Sequence, residues 1–272
     1  MRFYTLPPTR EIEYPYLLVN YKNYKELYKR RGWKHAILDC GVEFFKHNPD
    51  KSDYPKWFLR EWKALCPYLT SIFGDKLACV IPDYPDDYHP GQFGGGMRNV
   101  EKTLRNVEEF ITVDGVNWMV VIQSPYLNRL GFMESLQRTR DLIGDYPLIG
   151  VGTVCKTRKL SFIEFCLKAT RRFFPKSHIH AFGLTLNALP RIKENIDSYD
   201  SLVPSNLTGP KSMEKWEGLR RILNSWDSLS YTFPREPHKP SAKTKEYAIT
   251  FFYAYLKRIE EILGGKIDEE EI

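Results

Sequence analysis

A chain of 272 residues, with 42% hydrophobic and 27% charged residues, is large enough for one α/β barrel and has a globular composition. No apolar run approaches the ~20 residues of a membrane-spanning helix, and the amino terminus lacks a signal-peptide pattern, so we expect a cytoplasmic protein. The five cysteines are scattered without a CxxC pair, which disfavours structural zinc, and a net charge of +6 leaves open solvated helix faces or a phosphate-binding surface.

Short β-branched apolar runs alternate with longer helical patterns, which is typical of successive βα units around a parallel sheet. Strands are predicted at residues 2–6, 16–20, 35–39, 77–83, 118–123, 148–152, 178–184 and 199–203. Helical periodicity is present at residues 22–31, 55–73, 98–111, 127–143, 161–174, 186–196 and 242–263. This alternation predicts a closed (β/α)8 TIM barrel that forms a single domain over residues 1–272, with 204–240 as a variable insertion and 241–264 as a closing carboxyl-terminal helix.

Polar residues or glycines follow the predicted strands at matching positions. In chain order they are Asn20, Asp39, Asp83, Gln123, Gly152, Gly183 and Asp200. The carboxyl ends of all strands in a parallel barrel converge on one face, where barrel enzymes hold their catalytic groups. One aspartate after a strand is commonly a helix cap or a turn residue. Three aspartates, a glutamine and two glycines in matching register favour a functional site instead.

Each member of this series also has a purely structural interpretation. Asp39 could start a turn with Gly41. Gln123 could cap a loop, although its amide can both donate and accept, as recognition of a nucleobase edge requires. Gly150 and Gly152 could be packing glycines, or they could expose backbone amides to a flat ligand.

Other polar residues near the strand ends are expected to play supporting roles. Asp86 and Asp87 are predicted to be exposed loop charges. His178 and His180 alternate along a strand and therefore point to one face, where core or supporting roles are favoured over metal binding. The glycine-rich segment 91–99 lacks the Lys-Ser/Thr pair of a phosphate-binding loop, and a loop over the barrel mouth is expected.

Six motifs occur in one order along residues 1–203. They are MRFYTLP, LDCGVEFF, VIPDYP, VVIQSP, GVGTVCKTRK and HIHAFGLTLNALPRI followed by IDSYDSL. They resemble the deazapurine DNA-modification transglycosylases, the DpdA-like family, and more distantly the tRNA-guanine transglycosylases. The resemblance implies a TIM barrel that exchanges guanine in DNA for a 7-deazaguanine through a covalent aspartyl-glycosyl intermediate. The implied partners are DNA, or alternatively tRNA, and a free 7-deazaguanine base; an accessory ATPase is left open.

The resemblance also implies roles for individual residues. By position, Asp200 would be the nucleophile, Asp39 the acid/base or base-orienting carboxylate, and Asp83, Gln123 and Gly152 the readers of the bound base. Gly150 and Gly183 are further candidates for substrate contact. The exchange requires no metal and no redox cofactor.

The substrate base is inaccessible within a duplex, so it must be flipped out or already single-stranded. Lys156 and Arg158 follow a strand end and could offset the cost of flipping through phosphate contacts, which predicts binding that weakens steeply with salt. A glycosylase that releases guanine and a non-catalytic nucleic-acid-binding barrel are the competing functions.

Two departures from the related families concern the carboxyl-terminal third. The tRNA enzymes carry a Cys/His zinc site that this chain has no residues to build. Residues 204–240 fit poorly and contain NSWDSLSYTFPRE around Asp227. The spacing from Gly183 favours Asp200 as the nucleophile, whereas the aromatic and basic residues after Asp227 match the family better. Asp227 therefore stays an alternative nucleophile, which would move the eighth strand to that position.

Overall fold

Eight parallel strands form one sheet in the computed structural model, which describes residues 1–41, 53–86, 95–155, 157–201 and 243–265. The strands are β1 (Arg2–Tyr4), β2 (Tyr16–Asn20), β3 (His35–Asp39), β4 (Leu77–Val80), β5 (Trp118–Ile122), β6 (Leu148–Val151), β7 (His178–Ala181) and β8 (Ser198–Asp200). From β2 to β8 each strand pairs with the next, and β8 pairs with β1. A parallel bridge between Thr5 and Leu17 joins β1 to β2 and closes the sheet, which confirms the predicted (β/α)8 barrel.

Helices connect the strands in the order that the sequence predicts. They are α1 (Glu26–Lys29), α2 (Lys56–Phe73), α3 (Met97–Phe110), α4 (Arg129–Ile143), α5 (Leu160–Phe173), α6 (Leu189–Ile192) and α7 (Lys243–Leu263). The predicted insertion at 204–240 lies outside the described residues. No helix in the described ranges is both long enough and apolar enough to cross a membrane.

The first predicted helix, at residues 22–31, is much shorter in the structure. It consists of a 3-10 turn at Tyr21–Asn23 followed by α1. The chain leaves the helix at Arg30, whose guanidinium is buried and donates to the carbonyl oxygens of Pro7 and Thr9. Arg30 also pairs with Glu26, so its side chain connects the β1–β2 loop to α1. If the helix continued beyond this point, the Arg30 guanidinium would move away from the two carbonyl oxygens.

The outer face of β1 and β8 is covered by α7. The ring of Phe3 lies 5.0 Å from Tyr199 and 5.7 Å from Tyr255, measured between centroids. Phe252 of the same helix meets Tyr14 edge-on at 5.5 Å. These fully or almost fully buried aromatic rings form one layer outside the sheet, which leaves alternate residues of each strand to fill the barrel interior.

Candidate active site

The strand register places most of the predicted polar series on the inner face of the barrel. Gly150 pairs with His180, His180 pairs with Ser198, and Asp200 pairs with Tyr4. Partners in a parallel sheet share a face, and residues two apart along a strand return to it. Asp200 therefore lies at the carboxyl end of β8 on the same inner face as His180.

Asp83 and Gln123 form a buried pair beyond the ends of β4 and β5. Gln123 Nε2 donates to Asp83 Oδ2 at 2.5 Å, and only 6% of Asp83 and 3% of Gln123 are exposed. The Cys40 thiol lies 3.8 Å from Asp83 Oδ1. Burial raises the pKa of Asp83 from 3.8 to about 6, although the hydrogen bond from Gln123 favours the charged form. A carboxyl group whose pKa burial shifts upward at a strand end is a candidate functional group.

The oxygen of the Gln123 amide, unlike its nitrogen, has no hydrogen-bond partner among the described residues. Gln123 Oε1 is buried and accepts no hydrogen bond within the part of the chain that the structure describes. Buried amide oxygens are normally satisfied, so an orphaned acceptor at the barrel mouth is suited to an N–H group of a ligand.

Gly150 and Gly152 make space for the side chains of this site. A Cβ at Gly152 would lie 2.2 Å from Gln123 Nε2, and a Cβ at Gly150 would lie 2.6 Å from the ring of Phe182. The Gly152 amide donates to Ile122 O at 3.1 Å, so it is not available to a flat ligand, and of the two interpretations the packing glycine applies to Gly152. The sheet already uses that amide, and the missing Cβ is what the site requires.

Asp200 is held through one carboxylate oxygen. Asp200 Oδ1 accepts from the Gly183 amide at 2.9 Å and lies 3.2 Å from His180 Nε2, and the residue is 4% exposed. No hydrogen bond to Asp200 Oδ2 is present among the described residues. Gly183 has a φ of +61°, and a Cβ there would lie 2.4 Å from Cys155 Sγ. A residue with a side chain would therefore be strained at the position whose amide orients Asp200.

Phe182 is a site residue that the sequence analysis missed. Its partly buried ring meets the His180 ring at 4.6 Å in a T-shaped arrangement, and His180 meets Tyr4 edge-on at 5.5 Å. Phe182 continues the alternation of His178 and His180, which was the available signal. A flat ring at the barrel mouth can stack on a nucleobase.

Asp39 adopts the turn geometry that its structural interpretation predicts. Its Oδ1 accepts from the Gly41 amide at 3.1 Å, and Gly41 has a φ of +76°. The pKa of the neighbouring Cys40 thiol is raised well above its usual value, first by burial and then by the negative charges of Asp39 and Asp83. Asp39 and Asp83 therefore act on the same buried thiol from two adjacent strand ends.

The prediction that Asp86 is an exposed loop charge is wrong. Asp86 is only 9% exposed, and its carboxylate accepts from the Gly96 amide, Asn99 Nδ2 and the Tyr126 amide at 3.0–3.2 Å. These donors come from the start of α3 and from the β5–α4 loop. Asp86 thereby fixes two loops beside the Asp83–Gln123 pair.

The remaining candidates are not brought into this cluster. Arg158 is exposed in the loop after β6. Lys156, Asp87 and Asp227 lie outside the described residues. Within those residues no group of three or more His, Cys, Asp or Glu side chains is arranged to hold a metal ion.

Comparison with known proteins adds little to this geometry. No protein-family model and no curated protein matches the chain. Among solved structures, it is similar to the carboxyl transferase domain of pyruvate carboxylase from Rhizobium etli, with 13% sequence identity and a TM-score of 0.38. That alignment covers 87% of this chain and 42% of the other, so this chain spans less than half of its length. The barrel assignment accordingly rests on the strand order and the closing bridge.

Proposed function

We propose that this chain is a nucleic-acid base transglycosylase that exchanges guanine in DNA for a 7-deazaguanine through a covalent intermediate on Asp200. The proposal is carried by the Asp83–Gln123 pair. It combines a buried carboxyl group with an amide acceptor that has no partner in the described part of the chain. Both groups lie beyond two adjacent strands, at the same end of the barrel as the Asp200 carboxylate.

The acceptors of this pair match the edge that the two bases share. Guanine and 7-deazaguanine both present N1–H and the 2-amino group as neighbouring donors and differ at position 7. Asp83 oxygens and Gln123 Oε1 are acceptors that can receive those donors. A site that reads this edge accepts both the departing and the incoming base, as exchange requires. Discrimination at position 7 would come from other contacts.

The chemistry uses a carboxylate nucleophile at the anomeric carbon. Asp200 Oδ2 attacks C1′, the C1′–N9 bond breaks, and guanine departs with the bonding electrons. Asp39 donates a proton to N9 of the departing guanine. The incoming 7-deazaguanine loses its N9 proton to Asp39 and displaces the aspartate from C1′. Two displacements give net retention of configuration.

Reaching the base requires that it leave the helical stack. Extrusion from a duplex costs a few kcal/mol, and stacking on an aromatic ring offsets part of that cost. Phe182 is a candidate for this contact because its ring is partly accessible and lies against His180.

The test is incorporation of labelled guanine into DNA and, in parallel, into tRNA, by wild type and by Asp83→Asn. We expect label in DNA with wild type and none with Asp83→Asn, which keeps the shape of the side chain but replaces one acceptor oxygen with an amide NH2 donor. Label in tRNA alone would move the assignment to a tRNA-guanine transglycosylase. Guanine release without incorporation would indicate a glycosylase, and binding without either event would indicate a non-catalytic barrel.

A further inference from the structure

A chain of hydrogen bonds runs through the barrel interior to Asp200. His178 Nε2 lies 2.8 Å from Ser198 Oγ, Ser198 Oγ lies 2.9 Å from His180 Nδ1, and His180 Nε2 lies 3.2 Å from Asp200 Oδ1. These residues alternate along β7 and β8 and share the inner face. His180 and Ser198 are 0% exposed, so bulk solvent does not reach their side chains.

The carboxylate sets the direction of every bond in this chain. An ionised Asp200 can only accept, so His180 Nε2 must carry a proton. In the Nε2–H tautomer, His180 Nδ1 is an acceptor and receives the Ser198 hydroxyl proton. Ser198 Oγ in turn accepts from His178 Nε2–H. One tautomer of each histidine satisfies all three contacts.

The surroundings of His178 agree with a neutral ring. Burial lowers its pKa from 6.5 to about 4, against the opposing charge of Asp197. The neighbouring His180, Arg2 and Arg171 act in the same direction as burial. His178 is therefore uncharged near neutral pH, and one of its ring nitrogens carries no proton.

We propose that His178 and Ser198 are positioning residues that hold His180 in its Nε2–H tautomer, so that His180 donates to Asp200 Oδ1 and leaves Oδ2 for the bond to C1′. The assignment of the tautomer rests on the three distances and on the carboxylate acceptor of Asp200, and it does not depend on the proposed function. Its consequence for catalysis rests on the proposed function.

The catalytic consequence concerns the balance between free carboxylate and glycosyl ester. When Oδ2 bonds to C1′, Oδ1 becomes the carbonyl oxygen of the ester and loses most of its negative charge. A donor binds a carboxylate more strongly than an ester carbonyl. The His180 and Gly183 donors therefore favour the free carboxylate and make Asp200 a better leaving group in the second displacement. Weakening the chain should make the adduct accumulate.

Ser198→Ala breaks the chain at its middle without touching Asp200. His180 then loses the donor to Nδ1 and can adopt the Nδ1–H tautomer, which turns a lone pair towards Asp200 Oδ1. The hydrogen bond that is lost has the charged Asp200 carboxylate as its acceptor. We therefore expect the equilibrium ratio of covalent adduct to free enzyme, at fixed guanine concentration, to rise about tenfold. Turnover should fall. Ser135→Ala, at a 2% exposed serine on α4 outside the chain, is the matched control and should change neither quantity.

The adduct ratio separates this role from general damage to the fold, because damage lowers the amount of adduct. A ratio in folded Ser198→Ala that is unchanged or lower than in wild type would overturn the proposal. The second measurement is ¹⁵N-resolved NMR of wild type labelled at histidine, with signals assigned from His178→Gln and His180→Gln. We expect Nε2–H tautomers for both rings, and a protonated Nδ1 on His180 would overturn the assignment.

The tautomer measurement needs neither a substrate nor a stable Ser198 variant. If wild type forms no adduct with any nucleic acid, the proposed function fails, and the NMR result still decides whether the chain orients His180 towards Asp200.

Discussion

Asp83→Asn should make the protein more stable while removing its activity. The wild-type carboxyl group is buried, and its pKa is raised from 3.8 to about 6. Asparagine imitates the protonated carboxyl group, because its Oδ1 can still accept from Gln123 Nε2. The variant therefore avoids the unfavourable free energy of ionising a buried acid. In the wild type, a hydrogen bond from the bound base would offset that free energy.

The magnitude follows from linkage between protonation and folding. A carboxyl group with a raised pKa binds a proton in the folded state that it has lost in the unfolded state, so stability falls as pH rises from about 4 to about 6. For a shift from 3.8 to about 6, the penalty is about 1.6 kcal/mol near pH 5 and about 3 kcal/mol near pH 7.5. Asp83→Asn should therefore exceed wild type by roughly these amounts.

The assay is urea unfolding of both proteins at the two pH values. His178 titrates in an overlapping range but is common to both proteins, so its contribution cancels in the difference. Asp86→Asn is the matched control, because the buried Asp86 carboxylate accepts from three donors. This variant should be less stable than wild type by about 1–3 kcal/mol. An advantage of Asp83→Asn that is equal at both pH values, or a variant less stable than wild type near pH 7.5, would refute the reasoning.

Three further predictions concern the site and its surface. Gly152→Ala, whose Cβ would lie 2.2 Å from Gln123 Nε2, should abolish exchange and cost about 1–3 kcal/mol of stability. Gly265→Ala, with no atom within 4 Å, should leave both unchanged. Burial lowers the pKa of His178, so wild type should lose stability relative to His178→Gln in urea titrations as pH falls from 6.5 to about 4; a difference independent of pH would contradict a neutral His178. DNA binding should weaken steeply with added salt, and Arg158→Gln should reduce the log–log slope by about 0.9 if this side chain contacts one phosphate.

The strands and the positions of the site residues could be predicted because they depend on local patterns. Apolar runs followed by Asp39, Gln123 and Asp200 mark the carboxyl ends of strands. This pattern does not depend on which strands pair with one another in the sheet. The β4 prediction extended beyond Val80 because the apolar pattern continues through Ile81. The strand ends earlier in the structure, since Pro82 has no amide to donate to a ladder.

The contacts within the site depend on register and on distant segments, which one sequence does not reveal. Asp86 appears in the sequence as one of two loop acids, and only the folded chain brings Gly96, Asn99 and Tyr126 to it. Likewise, Ser198 becomes the link between two histidines only when β8 pairs with β7. Alternation along β7 predicted that the histidines share a face, but it could not indicate their partner.

The central claim, that Asp200 carries the covalent intermediate, is tested most directly by trapping and mapping the adduct. Wild type, Asp200→Asn and Asp227→Asn are incubated with guanine-containing DNA, denatured and digested, and the glycosylated peptide is located by mass spectrometry. We predict an adduct on Asp200 that is lost in Asp200→Asn and retained in Asp227→Asn. An adduct that persists in Asp200→Asn and disappears in Asp227→Asn would contradict the account.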